Sequence, residues 1–129
     1  MKRSLALLLT LVMSLGLLAG CGTNGGSDVD YVKGKGKLIV GITDFAPMDY
    51  KEDGSDEWIG FDADMAKVVA EKLGVEVEFI EIDWDSKIME LDSGNIDVVW
   101  NGMTLTDAVM EAMECSTAYC NNAQVVVTK

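Results

Sequence analysis

Lys37-Leu38-Ile39-Val40-Gly41-Ile42 is a run rich in β-branched residues, and it reads as a buried strand. The elements around it follow in alternation. Asp62 to Leu73 has helical spacing, with Phe61, Met65, Val68, Val69 and Leu73 on one stripe. Asp62 is placed to cap that helix and Gly74 to stop it. Val75 to Ile82 (VEVEFIEI) alternates apolar and acidic residues, a strand with one wetter face. Ser86 to Leu91 suits a short helix, and Ile96 to Trp100 (IDVVW) a third strand. Thr106 to Met113 suits another helix, and Gln124 to Thr128 (QVVVT) a last strand. Strand–helix alternation predicts an α/β fold, a single three-layer lobe with a mostly parallel sheet.

The chain has 129 residues, too few for two ordinary domains. Its front differs from the rest. Lys2 and Arg3 precede an apolar run, Leu5 to Leu18, too short and wrongly flanked for a stable membrane span. Leu18-Ala19-Gly20-Cys21 resembles a bacterial lipoprotein signal, so residues 1–20 read as a signal peptide and Cys21 as the lipidation site. Acyl chains anchor through about 0.8 kcal/mol per buried CH₂. Gly22 to Asp30 is small and polar, so residues 21–36 read as a flexible tether, leaving 37–129 as the folded lobe. Gly34-Lys35-Gly36 is too short for a dinucleotide fingerprint and reads as a linker or turn.

Composition excludes several functions. Net charge is −12, and loss of Lys2 and Arg3 takes it to −14. Nucleic acid demands basic patches, so it is not an expected partner; nor does such a surface hold anionic lipid by itself. There is no histidine, which rules out Ser-His, Cys-His and His-metal chemistry within this chain. The acids Glu52, Asp53, Asp56 and Glu57 flank an Asp53-Gly54 turn and lack calcium-loop spacing, so they read as a solvated turn. No metal or cofactor is expected. Cys115 and Cys120 leave a disulfide or two thiols open.

In open α/β sheets, ligands bind beyond the carboxyl ends of strands. Asp44-Phe45 follows the first strand, Asp83-Trp84 the second and Asn101-Gly102 the third. These deliver two acids, two aromatics, an amide and a glycine toward one crevice. A zwitterionic solute matches that set. Its ammonium suits a carboxylate or an aromatic face, and its carboxylate suits N–H groups, a hydroxyl or a cation.

Four stretches, in order, carry a family resemblance. They are Val40 to Tyr50 (VGITDFAPMDY), Gly60 to Lys67 (GFDADMAK) with Glu71 to Val75, then Asp83-Trp84-Asp85 with Ser93-Gly94-Asn95-Ile96-Asp97-Val98, and Asn101-Gly102-Met103-Thr104-Leu105-Thr106 with Ser116, Tyr119 and Gln124 to Val127. The chain resembles extracellular solute-binding proteins of the polar amino acid transport type. That resemblance implies a type II periplasmic-binding-protein-like fold, with a second lobe expected beyond a hinge and only the first lobe spelled out here. It implies that Phe45 and Trp84 sandwich the ligand, that Asn101 and Gly102 offer backbone groups, and that Thr104 offers a hydroxyl and an N–H. Asp44 is the candidate for the ligand amine. Two departures stand out. The family commonly has an arginine three residues after the second threonine of its threonine-x-threonine motif, and that position is Val109. The gap between Asp44 and Phe45 is also shorter than in many relatives. The function implied is an extracytoplasmic, lipid-anchored receptor passing an amino acid-like solute to ABC permease subunits, without catalysis. A lyase or sensor module on the same fold, or a non-binding remnant, are the alternatives. Half a pocket forfeits ligand contacts, so weak binding is expected of one lobe alone.

Overall fold

The computed structural model describes residues 26–123 and 125–129. The expected signal over 1–20, Cys21 and Gln124 lie outside the described residues. Three strands form one parallel sheet: β1 (Lys37–Ile42), β2 (Glu76–Glu81) and β3 (Val98–Val99), in the order β2-β1-β3. β1 pairs with β2 from Lys37↔Glu76 to Ile42↔Glu81, and with β3 at Val40↔Val98 and Gly41↔Val99. The central strand is flanked on both sides, and Val40 and Ile42 are fully buried. The acidic alternation of β2 behaves as the sequence suggests: Glu76, Glu78 and Glu81 are exposed, while Val77 and Phe79 pack on the core.

The connecting helix α2 spans Phe61–Leu73, after an N-terminal helix α1 (Asp28–Lys35). A 3-10 turn at Trp84–Ser86 leads into α3 (Lys87–Asp92), and α4 covers Asp107–Ala112. The first crossover runs from β1 to β2 and the second from β2 to β3, on the other side of β1. Right-handed connections then place α2 and α3 on opposite faces of the sheet. The order reverses at β1, so a crevice opens between the carboxyl ends of β1 and β3.

The expected tether over 21–36 is corrected at Asp28–Lys35, which form α1. Ser27 and Asp30 make a reciprocal capping box, satisfying two of the orphan donors at the helix start. Gly36, at φ 79°, closes the other end through its N–H to Val32 and Lys33 carbonyls. Val32 is buried with Leu38, Val40, Ala66 and Ala70. Lys35 Nζ lies 2.6 Å from Asp97 Oδ1, and Asp97 also accepts the Ile39 N–H at 2.7 Å. A small polar composition cannot show that one valine and one ion pair tie the segment to the lobe.

The face of α2 also differs from the expected stripe. Asp62, Ala63, Ala66 and Ala70 are buried, whereas Phe61 and Val68 are exposed. Alanines let the helix axis approach the sheet closely, while Val69 and Leu73 fill the flank. The N-cap is Gly60, at φ 117° and without a side-chain cap, so Asp62 is not the cap. A Cβ at Gly60 would meet the Met48 and Pro47 carbonyls. Gly74 stops the helix as expected, at φ 75°.

β3 is shorter than the expected 96–100, although Asp97 and Trp100 N–H groups extend its pairing to Ile39 and Gly41 carbonyls at 2.9 and 3.0 Å. The expected last strand does not form over Val125–Thr128, and Val125, Val126 and Val127 are exposed. β-propensity makes a strand only where a neighbour accepts its ladder, and no such neighbour pairs with them among the described residues. Cys115 and Cys120 are two free thiols.

Candidate functional site

The end of β1 hands the chain to a tight loop. The Phe45 N–H donates to the Asp49 carbonyl at 2.6 Å, and the Phe45 carbonyl accepts from Met48 and Asp49 N–H groups at 2.9 and 3.1 Å. This closure holds Phe45 outward, with 52 % of its surface exposed. At the end of β3, Asn101 is buried, and its amide donates to Thr43 Oγ1. Its Oδ1 accepts the Gly102 N–H at 2.9 Å. Asn101 therefore staples the two strand ends together. A Cβ at Gly102 would lie 2.8 Å from the Phe45 ring, so any side chain there would push that ring aside.

The end of β2 contributes Trp84. Asp83 accepts the Asp85 N–H at 2.9 Å and starts the 3-10 turn. Lys87, three residues on, folds back over Trp84. Its Nζ donates to the Trp84 carbonyl at 2.9 Å and lies 4.5 Å from the ring centroid.

These segments line one open cleft of about 430 Å³, bounded by Thr43, Phe45, Trp84, Lys87, Asn101, Gly102, Met103, Thr104 and Val109. Five of the six residues singled out from the sequence come together there: Phe45, Trp84, Asn101, Gly102 and Thr104. Asp44 does not; it is exposed and outside the lining, so the acid expected for a ligand amine is not brought to the cleft. Asn101 and the Gly102 N–H are engaged in holding the strand ends, which leaves the Gly102 carbonyl and the aromatic faces as more available groups. Thr104 Oγ1 accepts from Asn122 at 2.9 Å, and Thr104 and Phe45 also border a second cleft under Ser116–Asn122. Val109, where the family resemblance leads one to expect an arginine, lines the cleft and carries no charge.

Lys87 is the residue that sequence reasoning missed. Its spacing from Trp84, three residues on a helical turn, was a usable signal. Also missed was a buried acid pair beneath the Phe45 loop. Asp49 and Asp62 are both fully buried, and three of their four carboxyl oxygens make no well-formed hydrogen bond, with the Ala63 N–H and the Trp100 indole only loosely placed beside them. The fourth, Asp62 Oδ1, accepts from the Tyr119 hydroxyl at 2.7 Å. Burial, then the nearby Asp62 charge, pushes Asp49 up to about 7. Burial also raises Asp62, against the opposing pull of the Tyr119 hydrogen bond. Tyr119 is raised in turn, by burial and then by its bond to Asp62. Among the described residues, no group of three or more Cys, Asp or Glu side chains could hold a metal ion.

The geometry defines a binding cleft at a topological switch point, and comparison with known proteins agrees with it. The family model of bacterial extracellular solute-binding proteins, family 3, matches residues 38–129. The chain belongs to this family. It is 36 % identical over 130 residues to the arginine-binding extracellular protein ArtP of Bacillus subtilis, covering 100 % of this chain and 49 % of ArtP. It is 35 % identical to the L-cystine-binding protein TcyA of the same organism, covering 100 % and 52 %. The chain spans about half the length of the curated relatives it matches. Among solved structures, an ancestral cationic amino acid solute-binding protein superposes with a TM-score of 0.62 at 39 % identity, over 66 % of this chain and 37 % of that one. The arginine-bound form of domain 1 from TmArgBP gives 0.59 at 38 % identity, over 64 % and 65 %.

Proposed function

We propose that this chain is the first lobe of an amino acid-binding protein that delivers its solute to an ABC importer. The observation that carries this reading is the convergence of Phe45, Trp84, Gly102 and Thr104 from three strand ends on one open cleft. Two aromatic faces, a hydroxyl and a carbonyl suit a small polar solute, and the open side leaves room for a second lobe to close over it. The family membership supports the same conclusion, since the relatives named above bind arginine and cystine.

The role is binding and not catalysis. Lys87 is the single titratable side chain in the lining, so the cleft itself pairs no acid with a base. The Asp49–Asp62 pair lies outside that lining. Leu18-Ala19-Gly20-Cys21 supports export and a lipid anchor at Cys21 on the outer side of the cytoplasmic membrane, with permease subunits as partners. Domain 1 of TmArgBP, similar to this chain, was solved in an arginine-bound form, which argues against treating one domain as inert.

The test is a panel of amino acids titrated into the full chain, followed by the indole signals of its three tryptophans. Saturable perturbation of one indole by a subset of amino acids is the expected result. A folded chain whose indole signals respond to no amino acid, even at millimolar concentration, overturns the reading.

A further inference from the structure

The cleft holds one charge, and its position restricts what can enter. Lys87 is the only ionisable residue in the lining, and it makes no salt bridge among the described residues. The neighbouring acids Asp83 and Asp85 are exposed and do not line the cleft. Its ammonium is pinned at two points, over the Trp84 ring at 4.5 Å and on the Trp84 carbonyl at 2.9 Å. An ammonium has three donors, and one is spent on that carbonyl. Two remain, and the other walls of the cleft are aromatic, amide, hydroxyl and apolar.

Building on the amino acid-binding reading, we propose that Lys87 is the specificity-determining residue of this lobe. Its ammonium takes a carboxylate of the solute, a service that Val109 cannot perform. The solute is therefore an amino acid with a neutral or acidic side chain, and not a cationic one of the kind that the arginine-binding relatives take. Two physical effects act together. An unopposed ammonium in a partly desolvated cleft favours a ligand carboxylate through a charge-assisted bond. The same ammonium already lies over one π-face of Trp84, beside where a guanidinium would stack, and repels a second cation there.

The experiment compares the full wild-type chain with Lys87→Met and Lys87→Arg, titrated with L-glutamate, L-glutamine, L-arginine and L-glutamine α-amide. The last ligand lacks the carboxylate. In the wild type, glutamate or glutamine binds more tightly than arginine. Lys87→Met weakens the carboxylate ligands by about ten- to a hundredfold, leaves the α-amide within about twofold by the same reasoning, and narrows or reverses the disadvantage of arginine. Lys87→Arg restores the carboxylate ligands. A uniform loss for all four ligands in Lys87→Met would mean that Lys87 only props Trp84, and it overturns the proposal. So does tighter binding of arginine than of glutamate and glutamine by the wild type. Both outcomes leave the amino acid-binding reading intact, whereas a folded wild type that binds none of the four, nor any other amino acid, overturns that reading and the role of Lys87 with it.

Discussion

Replacing Asp49 by asparagine removes a buried charge while keeping the side chain's shape. Asp49 is 0 % exposed, and neither of its oxygens makes a well-formed hydrogen bond. Burial first, and the Asp62 charge second, lift it from an ordinary 3.8 to about 7. A carboxyl raised in the folded state holds its proton more tightly there than in the unfolded chain. Stability must therefore fall as pH rises through the interval between those two values, and the loss is complete above about 7. At about 1.4 kcal/mol per pH unit, the interval corresponds to a ceiling of about 4 kcal/mol. The residues leading into Asp49, from Asp44 to Pro47, are exposed, so solvent screening brings the expected effect to about 2 kcal/mol. Asparagine is neutral at every pH and escapes this penalty. Urea unfolding followed by tryptophan fluorescence provides the assay, at pH 5 and pH 8. With a slope of about 1 kcal/mol/M for a chain of this size, Asp49→Asn raises the midpoint by about 2 M at pH 8 and by much less at pH 5. An equal shift at both pH values would show that packing, not charge, is responsible. No gain at pH 8 would refute the buried-anion argument outright.

Three further outcomes rest on named contacts. Trp84→Ala removes one aromatic wall of the cleft and is expected to weaken amino acid binding about three- to tenfold, read by calorimetry, with little change in thermal stability because Trp84 is half-buried and outside the core clusters. Gly60→Ala forces a Cβ against the Met48 and Pro47 carbonyls at φ 117°, and should destabilise by about 2–3 kcal/mol in thermal unfolding; a loss under half that would show the loop can relax. Cys21→Ala is expected to abolish incorporation of labelled fatty acid and to shift the protein out of the membrane fraction, or leave it unprocessed; unchanged membrane association would count against the lipid anchor.

Sequence alone determined the order of elements from Lys37 to Ala112 and the end of the sheet where a ligand could sit. Lys37–Ile42 had to be a strand because its β-branched residues have no polar alternation to expose, and the acidic alternation of 75–82 announced a strand with one wet face. Phe45, Trp84 and Asn101-Gly102 were legible because each lies just past a strand, and parallel strands carry the loops at their carboxyl ends to one edge of the sheet. The tertiary structure decided everything that depends on distance between remote residues. Only there does Asp97 reach Lys35 across 62 positions and turn an apparent tether into a docked helix. Only there does Asp62 prove to be a buried partner of Tyr119 and Asp49 instead of a helix cap, because α2 presents its alanines to the sheet. Asp44 fell outside the cleft that its neighbours Thr43 and Phe45 line, which its place after a strand could not reveal. Local periodicity encodes which face is apolar, but the partner that a polar side chain meets inside the lobe is set by how the elements pack.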